Sequence, residues 1–143
     1  MHVIVSQKNL KKALSIVEKV VSKNTALPIL SNILLKTENG RLKVSATNLE
    51  VGINYSIGAK IEESGDIAVP VRIFSDFINT IHEDKVILIA KNNILSITYE
   101  KYKTQILSLD AKDFPIIFSS DFLDILERVG EKIRTEKKRK RFD

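Results

Sequence analysis

The chain contains no cysteine, one methionine, two histidines, three prolines and five glycines among its 143 residues. Without cysteine, disulfides and thiolate metal sites are excluded. The five glycines are scattered, so no glycine-rich phosphate loop can be assembled. His2 sits at the N-terminus and His82 just past a helical segment, with no carboxylate spacing beside either that would complete a metal site. No apolar run approaches the length of a membrane span. The opening Met1-His2-Val3-Ile4-Val5-Ser6 lacks the charged head and apolar centre of a secretory signal. The cytoplasm is therefore the expected compartment, and neither a metal nor a cofactor is expected. Paired carboxylates at Asp110 and Asp113 could do acid/base work. The run Asp110-Ala111-Lys112-Asp113-Phe114-Pro115 is better explained as a domain exit, with Phe114 plugging the core edge and Pro115 stopping the strand.

What is present is the composition of an ordinary globular protein, 43% hydrophobic and 29% charged. A chain of this length buries roughly two thirds of its unfolded surface, enough for one independent core. The net charge of +5 is unevenly spread. Residues 119–143 carry 8 Lys/Arg against 6 Asp/Glu, which leaves 15 against 12 for residues 1–118. The globular part is thus mildly basic, suited to a polyanion nearby rather than to a dense grip on one.

Val3-Ile4-Val5 reads as a strand, after which Leu10, Ala13, Leu14, Val17 and Val20 recur at helical spacing opposite Lys8, Lys11, Lys12, Ser15 and Lys19. Pro28 ends that helix and leads into a strand through Ile33-Leu34-Leu35, and Asn39-Gly40 supplies the positive backbone angles of a tight hairpin. Leu42, Val44 and Ala46, then Val51, Ile53, Tyr55 and Ile57, alternate with polar residues at the period of half-buried antiparallel strands. The same order returns: a strand at Ile67-Ala68-Val69, a helix marked by Phe74, Phe77, Ile78 and Ile81, and strands over 86–90, 94–99 and 104–109. Leu10, Leu14 and Val17 share the i, i+4, i+7 pattern with Phe74, Ile78 and Ile81, 64 positions apart. Such a duplication implies two units that share one core. The expected fold is α+β, two strand-helix-three-strand repeats with both helices packed on one side of antiparallel sheets.

A third copy starts in the tail, where Phe122, Leu126 and Val129 repeat the pattern and Ser119 or Ser120 supplies a cap. The expected organisation is a domain over 1–118, an amphipathic helix over 119–136 and a basic tail over 137–143. The tail, Lys137-Lys138-Arg139-Lys140-Arg141 at its centre, reads as a solvated end or as a source of nonspecific DNA affinity.

Thr25-Ala26-Leu27-Pro28-Ile29-Leu30-Ser31-Asn32 and Asn48-Leu49-Glu50, together with Met1-His2-Val3-Ile4-Val5 and Asp110 to Pro115, resemble the first domain of the bacterial sliding clamps, the beta subunits of DNA polymerase III. The resemblance runs in order with almost no change of length and fails after Gly130. The family implies a non-catalytic processivity factor. Its helices line a hole around duplex DNA, and a loosely fitting basic wall attracts phosphates without fixing position. The positions with that role here are Lys12, Lys19, Lys23 and Arg72, with Asn24 standing where clamps often place an arginine. The competing reading is that Lys8, Lys11, Lys12 and Lys19 merely solvate a helix. Clamp subunits pair head to tail, and the matching domain-one positions are Ile73 and Phe77 on the second helix with Lys101, Lys103 and Ile106 near the last strand. Phe77 as plain core is the alternative there. The implied partners are duplex DNA, further clamp subunits, polymerase and clamp loader, whose peptide groove belongs to a third domain. A truncated clamp product, or a capping protein for a full clamp, is the other reading of the chain.

Overall fold

The computed structural model describes residues 1–21 and 28–115. Lys23, Asn24, the 119–136 segment and the basic tail lie outside the described residues.

Ser6 opens the first helix by accepting a hydrogen bond from the Asn9 N–H at 3.4 Å, and the helix α1 then runs Gln7–Val17 after strand β1, His2–Ser6. Leu10, Ala13, Leu14 and Val17 form its buried stripe. Val20, expected on the same helix, lies in the turn beyond it, where its amide bonds the Val17 carbonyl and its side chain packs partly buried on the core. A short 3-10 turn over Pro28–Ser31 then delivers the chain to β2, Asn32–Glu38. Asn39 and Gly40, at φ 52° and 74°, make the tight turn into β3, Arg41–Thr47.

Strand β4 is longer than the sequence pattern suggested. It runs Gly52–Glu63, its first half paired with β3 and its second half with β1. Ala59 and Ile61 continue the same-face alternation begun by Ile53, Tyr55 and Ile57, and Gly58 falls on the opposite face. The second repeat follows as β5, Asp66–Pro70, α2, Val71–Asn79, and β6, β7 and β8 at Lys85–Lys91, Ile94–Tyr99 and Tyr102–Leu107.

The eight strands form one antiparallel sheet in the order β5-β2-β3-β4-β1-β6-β7-β8. The first strand of each repeat is exchanged: β1 pairs with β6 of the second repeat, and β5 pairs with β2 of the first. Beyond β8 the chain also reaches β5, where Leu109 and Ala68 exchange two backbone hydrogen bonds of 2.8 and 3.1 Å. Both helices cover one face, where Phe74, Leu10, Leu14 and Ile78 meet the inward residues of the sheet, Leu35, Leu42, Leu88 and Leu95 among them. Gln7 ties the helices to each other and to the sheet, its side-chain amide donating to the Ile78 carbonyl and its backbone amide to the Asp84 carbonyl. On the opposite face a small second cluster joins Leu34, Ala68 and Phe114. Phe114 therefore plugs the outer face, and Asp110 is engaged locally, accepting from the Lys112 N–H at 3.0 Å to start a 3-10 turn.

Phe74 and Ile73 are chain neighbours of opposite character, fully buried and 60% exposed respectively. Phe74→Ala is expected to cost about 3–5 kcal/mol in urea unfolding, and Ile73→Ala no more than about 0.5 kcal/mol. Equal losses would contradict this placement of the core.

Candidate nucleic-acid and assembly surfaces

The basic surface belongs to α1. Lys8, Lys11 and Lys12 all stand exposed on this helix, which carries no acidic residue from Gln7 to Val17. The hydrophobic stripe faces the sheet, so the amphipathic pattern itself turns the lysines outward. Lys19 is exposed in the turn after the helix. Among the described residues none of these lysines makes an ion pair, and the pairs that do occur lie elsewhere, as at Lys43–Glu38 and Lys60–Glu62. Helix α2 contributes less. Arg72 is exposed, but Asp76 on the same helix is exposed as well, so the described charges of α2 cancel.

A cleft of about 420 Å³ opens where the start of α1 meets the segment after α2, lined by Lys8, Lys11, His82, Glu83, Asp84 and Lys85 among others. Its charges are mixed. Among the described residues no three His, Cys, Asp or Glu side chains gather to hold a metal.

The second surface is the edge of the sheet. Strand β8 pairs with β7 on one side only among the described residues, leaving a row of backbone groups open. Lys101, Tyr102, Lys103, Gln105 and Leu107 are exposed along it. Ile106, a candidate for this surface from the sequence, is only 5% exposed, because it shares the inward phase of Leu95, its partner on β7. Its side chain is core in this chain. Leu107, out of phase by one residue, is 79% exposed instead. Phe77 is half-buried and serves both readings: it packs on the core and touches Tyr99 edge-on at 6.0 Å. Tyr99 in turn stacks on Tyr102 at 5.3 Å, directly across the β7–β8 turn. The result is an aromatic ladder from α2 to a tyrosine that is 60% exposed at the sheet edge. Tyr102 and Leu107 were missed in the sequence. The tyrosine stands between two lysines, and the leucine was masked by the neighbouring Ile106 in a run that reads as one apolar stretch.

At the tip of the same hairpin, Glu100 adopts a left-handed backbone and its carboxyl meets that of Glu83. The hydrogen bond to Glu100, followed by the charge of Glu100, burial and the charge of Asp84, raises the Glu83 carboxyl above its ordinary value.

An α+β domain of two strand-helix-three-strand repeats, with a cationic helix on one face and an open, partly apolar sheet edge, is the architecture of a DNA-clamp domain. Residues 1–118 match the family described as DNA polymerase III beta subunit, N-terminal domain. The chain belongs to that family. It is 30% identical over 126 residues to the beta sliding clamp of Synechocystis, covering 82% of this chain and 32% of that protein. The solved pol III beta of Caulobacter crescentus is 34% identical with a TM-score of 0.77, covering 85% of this chain and 33% of that one. A Helicobacter pylori beta clamp, solved bound to a DNA ligase peptide, is 26% identical with a TM-score of 0.76 over 80% of this chain and 32% of its own. The chain thus spans about a third of the length of these relatives.

A raised carboxyl favours the protonated form in the folded state, so its contribution to stability is present in acid and is lost as the pH rises through the folded value. Glu100→Gln removes the repulsion that appears then. Its melting temperature should exceed that of the wild type at pH 7, and the gain should vanish below the ordinary Glu value of 4.5. A gain independent of pH would refute the shared carboxyl contact.

Proposed function

We propose that this chain is the first domain of a DNA sliding clamp, a non-catalytic processivity factor that helps enclose duplex DNA and tether the replicative polymerase in the cytoplasm. The observation that carries this reading is the cationic face of α1, which shows Lys8, Lys11 and Lys12 with no acid before the exposed Glu18 that caps the helix ahead of Lys19, opposite the helix stripe that packs on the sheet. Lysines without ionic partners among the described residues attract phosphates at a distance but make no rigid cradle, and a wall of that kind lets a duplex pass along it. Lys12 and Lys19 are the described members of the proposed DNA surface, with Arg72 beside the opposing Asp76 and with Lys23 and Asn24 completing it. Polymerase and clamp loader would engage parts of a whole clamp that this chain does not span. Among the described residues no helix is long and apolar enough to cross a membrane.

The assembly role is assigned to the β8 edge and α2. An incoming strand would satisfy the open backbone groups, Lys101 and Lys103 would meet an acidic partner surface, and Ile73, Phe77, Tyr102 and Leu107 would supply apolar contact. Ile106 would support that surface from beneath. The same open edge also favours a second reading, in which the chain caps the exposed end of a longer clamp subunit without enclosing DNA itself.

Reversing Lys12 and Lys19 to Glu should weaken association with a random duplex and lower the slope of log affinity against log salt by about 2, one for each lost phosphate contact. An unchanged slope in a folded double variant removes the DNA surface from α1. For the edge, Tyr102→Asp with Leu107→Asp should abolish complex formation with a full-length bacterial clamp in light scattering and leave the melting temperature within a few degrees. Retained complex formation would assign the contact elsewhere; binding to the clamp without DNA enclosure selects the capping role.

A further inference from the structure

The face of the sheet opposite the helices is not uniformly polar. Pleat alternation sends Val3 and Val5 of β1 and Val86 and Leu88 of β6 into the core, so Ile4, Ile87 and Ile89 point the other way. Ile94 of β7 and Leu107 of β8 share that outward phase, because Leu95 and Ile106 take the inward one. The four isoleucines are half-buried and belong to neither apolar cluster among the described residues, and Leu107 is largely exposed. Phe114 closes this face at its far end, over Leu34 and Ala68, and the two 3-10 turns sit there as well, against β2 and β5. Among the described residues no helix or turn covers the end made by β1, β6, β7 and β8.

Strand pairing lays these side chains out as a diagonal. Ile4 stands opposite Ile87, and Ile89 follows two residues along β6. Ile94, opposite Lys91, lies two residues further on, and its partner on β8 is Leu107. Three strand spacings of about 4.8 Å and four residues of about 3.3 Å make an apolar stripe roughly 20 Å long. A helix of about 13 residues has that length. The ground on both sides of the stripe is basic: Lys103, opposite Thr98, lies on one side with Lys85, and Lys91 lies on the other. All three lysines are exposed and make no ion pair among the described residues. The acids at the adjoining end of β4 are already engaged, Glu62 by Lys60 at 3.3 Å and Glu63 by the Met1 amino group at 4.0 Å.

We propose that this diagonal docks an acidic amphipathic helix of a second protein, its aliphatic stripe on Ile4, Ile87, Ile89, Ile94 and Leu107 and its flanking carboxylates on Lys85, Lys91 and Lys103. Charge selects that occupant. A second copy of this chain would bring the same lysines against these, a like-charge contact. Duplex DNA would satisfy the lysines but has no aliphatic surface to set against the isoleucines. A membrane requires side chains that project into the acyl region, and of the five only Leu107 projects; the isoleucines lie level with the pleat. The surface is on the opposite side of the sheet from α1, so the inference is independent of DNA binding there. It shares Leu107 and Lys103 with the sheet edge, and the variants that test it are therefore placed on β6.

The probe is a synthetic helix of about 14 residues with leucines at i, i+4, i+7 and i+11 and glutamates on both sides of them. Added to the isotopically labelled full chain, it should shift the amide signals of Ile4, Ile87, Ile89 and Ile94, and it should bind at least about tenfold more tightly than the same helix with lysines in place of the glutamates. Ile87→Thr with Ile89→Thr keeps β-branched residues in the strand and should weaken binding about tenfold, with the melting temperature within a few degrees of the wild type. Lys85→Glu with Lys91→Glu should reverse the preference between the two helices, an effect that a merely structural role would not produce. Equal affinity for both helices, shifts confined to α1 or to the β8 edge, or a preference that does not reverse would overturn the proposal. A random duplex, or vesicles of phosphatidylglycerol, that shifts the four isoleucine signals when the acidic helix does not would overturn it in favour of that partner. Self-association of the chain that Ile87→Thr with Ile89→Thr abolishes would make a second copy the occupant and overturn it equally.

Discussion

The exchange of first strands holds the two repeats together. β1 lies between β4 of its own repeat and β6 of the other, and β5 pairs with β2 across the same divide. Neither repeat can complete its sheet from its own strands, so neither has a separable core. The helices follow from that arrangement: the shared sheet offers one continuous apolar face, and α1 and α2 cover it together. The lysines of α1 point outward because the sheet claims the other side of the helix. Charge placement is thus a consequence of strand exchange as much as of local helical pattern.

The two repeats share a scaffold and differ in chemistry. α1 has three exposed lysines and no acid, whereas α2 sets Asp76 against Arg72. α2 instead carries the apolar Ile73 and the Phe77 end of the aromatic ladder. One helix thus presents charge of a single sign and the other a mixed, partly apolar surface, and Phe77 ties the second of these surfaces to the shared core.

Much of the fold was legible in the sequence because the signals were local. The 64-residue spacing of Leu10, Leu14 and Val17 with Phe74, Ile78 and Ile81 identified both helices, although Ile81, expected on the second, is buried just past its end at Asn79, and Asn39-Gly40 identified its hairpin. The exchange of β1 and β5 was not legible, since it is a long-range pairing that leaves no mark in local periodicity. The full length of β4 was readable in Ala59 and Ile61, but Gly58 and the charged residues between them obscured the pattern. At the sheet edge, a shift of one residue decides everything. Ile106 and Leu107 are equally apolar, and only the register with Leu95 and Ile94 sends one inward and the other to water. The lysines of α1 could be placed from helical spacing alone. The turn between β3 and β4, where Leu49 takes a left-handed backbone, could not, since its geometry depends on hydrogen bonds to the side chains of Thr47 and Asn48.

The near-symmetry of the repeats breaks in the fourth strand. β4 has 12 residues, and β8, its counterpart, has 6. The longer strand spends its second half on β1, whereas after β8, among the described residues, Leu109 alone makes the corresponding contact, with Ala68. One copy therefore closes on its neighbour along a full seam and the other by a single clasp. The first half of β4, residues 52–58, is bonded to β3 alone among the described residues, as β8 is to β7, so each repeat leaves one strand edge open beside its seam. A continuation of β8 past Leu107 would turn the single clasp on β5 into a second full seam and leave both of those edges as they are, so closure of the domain and its capacity to take up another strand belong to different stretches of chain.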